Sequence, residues 1–141
     1  MSRVSFAAAL FAAGLLATAA RAEMIDFHAT MAGASEVPAH AVPGTGKVVA
    51  ALDTVSKKLS YTITYSGLTG PAKAAHFHGP AVVGTNAGVV VPFKAPASPI
   101  KGSATLTDAQ IVDLEAGKWY VNVHTAANPG GELRGQMMRG K

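Results

Sequence analysis

His76 and His78 stand one residue apart in Ala74-Ala75-His76-Phe77-His78-Gly79-Pro80, and a third histidine closes the segment Tyr120-Val121-Asn122-Val123-His124. Side chains of a β-strand alternate between its faces, so His76 and His78 project together while Phe77 points the other way. By the same rule Tyr120, Asn122 and His124 share one face, and Val121 and Val123 the other. Three neutral imidazoles that converge form a nitrogen donor set suited to zinc or copper, and an open fourth position leaves such an ion reactive. The H-x-H spacing fits solvated or hydrogen-bonded histidines as well as ligands. The metal reading therefore depends on whether the strand of His124 lies beside, or opposite, the strand of the pair.

Further polar groups surround this question. In Gly131 to Met138, Glu132, Arg134 and Gln136 alternate with Leu133, Gly135 and Met137 and line one face. Two readings are open. Arg134 pairs with Glu132 or with backbone carbonyls at a loop base, as the guanidinium fork allows; or Glu132, Arg134 and Asn122 support the histidines from behind by hydrogen bonds. His40 lies in a proline-bounded loop and is a possible extra ligand if that loop folds over the site. His28 sits opposite Phe27 and reads as an exposed imidazole.

Other chemistries lack their residues. The chain has no cysteine, which excludes disulfides, thiolate nucleophiles and thiolate metal sites. No G-x-S-x-G elbow, phosphate-cradling glycine loop or nucleotide fingerprint is present, and none of the eight Asp and Glu residues falls into a recognisable glycosidase pair. The charges are scattered, without the basic and aromatic stripe of nucleic-acid binders, so no nucleic-acid partner is expected.

The elements that must position the histidines follow from the rest of the sequence. Residues 1–22 have the parts of a cleaved secretory signal: Arg3, an apolar run from Phe6 to Ala20, and Ala20-Arg21-Ala22 as the cleavage site. Loss of Arg3 and Arg21 would lower the formal charge from +4 to +2. The remainder, residues 23–141, is of single-domain size at about 120 residues. No later apolar run reaches the roughly 20 residues of a membrane span, so an exported protein of the periplasm or extracellular space is expected.

Beyond residue 24 the hydrophobic pattern has period two, punctuated by Gly and Pro. Strands are predicted over 25–31, 47–53, 58–66, 73–78, 88–93, 100–106, 118–125 and 131–138, with a hairpin across Thr54 to Lys57. One helix is predicted over 108–116: Thr107 and Gln110 form a capping box, Ile111, Val112 and Leu114 an apolar stripe, and Gly117 the stop. Eight short strands with regular turns predict an all-β fold, an antiparallel Greek-key β-sandwich or barrel.

The stretches GASEVPAHAVPGTGKVVAAL, LSYTITYSGLTGPAKAAHFHGPAVVGTNAGVVVPF and LEAGKWYVNVHTAANPGGELRGQM resemble the CHRD domain, first described in chordin, over about residues 25 to 138. The resemblance implies an all-β sandwich and makes the three histidines part of a shared pattern. Animal relatives carry the domain in a secreted growth-factor antagonist, which implies a binding module, here for an envelope or extracellular protein. A sandwich with H-x-H on a strand, a distant histidine and a nearby arginine is also similar to copper/zinc superoxide dismutase, which implies copper and a third reading as an oxidoreductase. The chain departs from that enzyme in lacking the disulfide cysteines and a zinc loop rich in His and Asp.

Overall fold

The computed structural model describes residues 21–140. The expected secretory signal over residues 1–22 lies, apart from its last two residues, outside the described residues. Among the described residues nine strands form: β1 (Met24–Ala32), β2 (Thr45–Asp53), β3 (Lys58–Ser66), β4 (Ala72–His78), β5 (Val89–Pro92), β6 (Ile100–Thr105), β7 (Tyr120–Thr125), β8 (Leu133–Gln136) and β9 (Met138–Arg139). Their pairing is antiparallel throughout, in the order β5-β4-β7-β8-β1-β2-β3-β6, with β9 on β1. Among the described residues no helix is long and apolar enough to cross a membrane.

The alternation read from the sequence becomes burial. Ile25, Phe27, Ala29 and Met31 of β1 enter the core while Met24, Asp26, His28 and Thr30 stay exposed, and Leu59, Tyr61 and Ile63 of β3 do the same. The sheet is rolled, because side chains from distant strands meet inside it. Tyr61 of β3 lies 5.2 Å from Phe77 of β4, ring centre to ring centre, and edge-on. Phe77 in turn contacts Trp119 at 5.9 Å, and Trp119 has no exposed surface.

The all-β antiparallel fold with one short helix expected from the sequence is present, and it differs from expectation in two details. The strands do not divide into the two hydrogen-bonded layers of a sandwich. β8 pairs with both β7 and β1 and joins the halves into one nearly closed sheet, whose free ends, β5 and β6, flank a single cleft floored by Tyr61. The strand predicted over 131–138 also splits. After Gln136 the chain leaves the β7 ladder, Met137 donates its N–H to the Trp119 carbonyl, and Met138 and Arg139 pair with β1 instead.

The helix, α1 (Asp108–Glu115), has both bonds of its capping box: Gln110 N–H donates to Thr107 Oγ1, and Thr107 N–H to Gln110 Oε1. Leu114 is fully buried and Ile111 packs beside the core, three residues apart on one side. Val112, included in the predicted stripe, is 67 % exposed, since one residue of helix turns the side chain by about 100°.

Candidate metal centre

β4 and β7 are neighbours, and their register sets His76 opposite Asn122, His78 opposite Tyr120 and Ala74 opposite His124. β8 continues the row with Arg134 opposite Asn122 and Gln136 opposite Tyr120. Ala75, Phe77, Val121, Val123 and Leu133 fill the core from the other face of these strands. The histidine face would be open to solvent in an uncovered sheet. Here loops 79–88 and 126–131 bond to it, so His78, Asn122 and Arg134 are buried although they point away from the core.

The three histidines come together. One ring nitrogen from each of His76, His78 and His124 lies within 4.8 Å of the others, and His76 Nδ1 is 3.2 Å from His124 Nε2. Two of the rings are oriented by backbone carbonyls: His78 Nδ1 lies 3.0 Å from Ala87 O and His124 Nδ1 2.8 Å from Pro129 O. A carbonyl oxygen only accepts, so each Nδ1 carries the hydrogen and each neutral ring turns the lone pair of Nε2 inward. This is the tautomer control from behind that metal-binding histidines need. His78 also stacks on Tyr120 with parallel rings 4.7 Å apart, and the guanidinium of Arg134 lies 3.5 Å from the centre of the Tyr120 ring.

Burial lowers the pKa of His76, and the neighbouring His124 and His78 lower it further. Burial lowers that of His78 too, against the hydrogen bonds that the protonated ring would donate to Ala87 and Asn122, with His124 and Arg134 adding to the depression. Both effects hold the rings in the neutral, ligating form at pH 7.

The supporting polar residues divide into two groups. Arg134 does not pair with Glu132: its Nη1 donates to Asn86 Oδ1 at 2.8 Å and its Nη2 to Thr85 O at 2.5 Å, fastening the loop that carries Ala87. Gln136 donates to the carbonyls of Ala81 and Gly117 at 2.9 and 2.7 Å. Glu132, fully buried, accepts from Thr69 N–H and Oγ1 at 2.7 and 2.6 Å, from Asn128 Nδ2 at 3.0 Å and from the Thr125 hydroxyl. Burial acts to raise its pKa, but the donors Thr125, Thr69 and Asn128 outweigh it and hold the carboxyl at about 2. Its link to His124 runs through the 126–131 loop, which it anchors and which presents Pro129 O.

Of Asn122, Glu132, Arg134 and Gln136, it is Asn122 that reaches the histidines, its Oδ1 lying 2.9 Å from His78 Nε2 and 2.8 Å from His124 Nε2. His40 stands outside the three-histidine group, in a cleft with Glu36, Pro129 and Gly131, and His28 is exposed on β1.

Sequence reasoning missed Glu36 and the two carbonyls, and placed Tyr120 on the histidine face without foreseeing its stacking on His78. Glu36 is 6 % exposed, its Oε1 has no hydrogen-bond partner, and burial, opposed by Arg134, Asn122 and Val37, raises its pKa to about 7. Its signal in the sequence is its place in the stretch GASEVPAHAVPGTGKVVAAL, one of the three that carry the family resemblance. The carbonyls of Ala87 and Pro129 leave no signal, because every residue has one.

The CHRD domain family matches the chain over residues 27–137, a span that contains all three histidines, Asn122, Glu132 and Arg134. No curated protein and no solved structure matches it.

Proposed function

We propose that this chain, which belongs to the CHRD domain family, is an exported protein that binds one copper or zinc ion through His76, His78 and His124. One observation carries the reading. Three ring nitrogens from two strands far apart in sequence lie within 4.8 Å of one another, and carbonyl bonds behind His78 and His124 turn their lone pairs toward the same point. For an ion held at about 2.0 to 2.1 Å by each nitrogen, the widest separation must close by about 0.7 Å if two nitrogens face each other across it, and by about 1.5 Å at tetrahedral angles. His76 and His124 are half-buried, so the ion would sit at the protein surface with room for a further ligand.

The secretory signal over residues 1–22 belongs to the same reading, since a cysteine-free nitrogen site keeps its chemistry in an oxidising compartment. A Greek-key path also fits: taken across the cleft between β5 and β6, the strand order reads β3-β6-β5-β4, three successive strands with the fourth beside the first.

Equilibrium dialysis against micromolar Cu(II) or Zn(II) tests the proposal. The expected result is about one ion per chain at pH 7.5, released as the pH drops below about 6 and the imidazoles take up protons. No uptake of either metal overturns it, and leaves a binding module of the envelope in which the histidines only fasten loops. A direct superoxide assay on copper-loaded protein decides the oxidoreductase reading.

A further inference from the structure

Asn122 is placed as a ligand is placed. Its Oδ1 lies between His78 Nε2, at 2.9 Å, and His124 Nε2, at 2.8 Å. Both rings have committed their Nδ1–H to the carbonyls of Ala87 and Pro129, so in the neutral rings both Nε2 atoms are lone pairs. An amide oxygen between two lone pairs brings three acceptors together with no hydrogen among them. Turning the amide over would place Nδ2 there. As it stands, Nδ2 lies instead on the side of Gly131 and the Glu36 carboxyl, and Oδ1 on the side of the two rings. Three convergent acceptors are the natural surroundings of a cation.

The separations point to a shape. Donors held at 2.0 to 2.1 Å lie about 2.9 Å apart at right angles and about 3.3 Å apart at tetrahedral angles. Two of the three close pairs, at 2.8 and 2.9 Å, match the right angle, and the third, His76 Nδ1 to His124 Nε2, is 3.2 Å. Two ligands facing each other across the ion would be about 4.1 Å apart, within reach of a cluster that spans 4.8 Å. Tetragonal sets of nitrogen and oxygen suit Cu(II), whereas Zn(II) favours the tetrahedron.

We infer that Asn122 Oδ1 is a fourth ligand, completing a tetragonal site of three nitrogens and one oxygen that selects Cu(II) over Zn(II). The inference rests on the three-histidine reading, and its test separates the two. Cu(II) and Zn(II) affinities and the Cu(II) electron paramagnetic resonance spectrum are measured for wild type, Asn122→Ala and Asn122→Asp. In addition, wild type carrying 13C at the asparagine side-chain carbonyl is examined by pulsed electron–nuclear double resonance, which needs no variant to fold.

Expected are an axial wild-type spectrum, a 13C coupling from the bound amide, and a Cu(II) affinity at least about tenfold weaker in Asn122→Ala, with a smaller change for Zn(II). Asn122→Asp, which keeps an oxygen in place but loses the N–H donors, should restore copper binding; a residue acting only through its N–H would not be rescued. Copper uptake with no 13C coupling, or an Asn122→Ala spectrum superposable on that of wild type, overturns the fourth ligand and leaves the three histidines standing. No uptake of either metal by wild type overturns both.

Discussion

Strands β1, β2, β3 and β6 on one side of the sheet, and β4, β7 and β8 on the other, all send every second side chain into the core, yet their outer faces differ. On the first side the outer residues include Asp26, His28, Thr30, Lys47, Ser60 and Lys101, all exposed. On the second they include His78 at 8 %, Asn122 at 3 % and Arg134 at 2 % exposure, beneath loops bonded to them. Period two in hydrophobicity therefore tells where the core is, and says nothing of what lies over the other face. The covered polar row is the informative one, because each buried polar group must find a partner or cost free energy. His28 and His78 are both outward-facing strand histidines, and the loops alone make one of them part of a site.

Substitutions that strip the covered side should cost far more than their counterparts on the open side. The largest effect is expected for Glu132→Ala, which removes the acceptor shared by Thr69, Thr125 and Asn128. A loss of about 3 kcal/mol is expected in urea unfolding, and a loss under about 1 kcal/mol would mean that solvent replaces the carboxylate freely. Next comes Gly131→Ala. Gly131 has φ +129, and a Cβ there would run into the Glu36 carboxyl and the Asn122 amide, so about 2 kcal/mol should be lost, with metal affinity weakened through the displaced Asn122.

A smaller effect, and one that depends on pH, is expected at Glu36. Its pKa is about 7 in the folded chain against 4.5 for the free group. The folded state therefore binds more protons than the unfolded state between these values, and the group's contribution to stability is lost as pH rises through 7. Glu36→Gln should gain on wild type between pH 5 and pH 8 by about 1 kcal/mol, allowing for screening by solvent, as read from metal-free melting curves. A constant offset across that range would remove the titration from the account. His76 and His78 act in the opposite sense: their lowered pKa values make the metal-free fold lose stability as the pH falls below 6.5, in both proteins alike. The smallest change is expected on the open face, where His28→Ala should stay within about 0.5 kcal/mol; a larger loss there would erase the contrast between the two sides.

The sequence carried the strands and the pairing of His76 with His78, because alternation is a local rule that the side chains themselves display. It also carried the helix cap at Thr107. It did not carry closure: β8 joins the two halves through backbone pairing with β7 and β1, and backbone groups are the same in every residue. Trp119 shows a similar limit, lying just outside β7 and still fully buried. At the candidate site the three histidines were legible from spacing and their shared face. Backbone carbonyls were among the partners the sequence offered for Arg134, and its bond to Thr85 O is of that kind. Glu36 and the carbonyls of Ala87 and Pro129 became visible only when loops distant in sequence were seen folded over the strands.

The central claim is that His76, His78 and His124 hold one ion. Crystals of the protein grown with stoichiometric Cu(II) test it most directly, by an anomalous difference map recorded at the copper edge. A single strong peak about 2.0 to 2.1 Å from a ring nitrogen of each of the three histidines is the predicted result, with the peak absent in His78→Ala. A wild-type map with no peak among those nitrogens, or one placing copper elsewhere on the chain, would contradict the account.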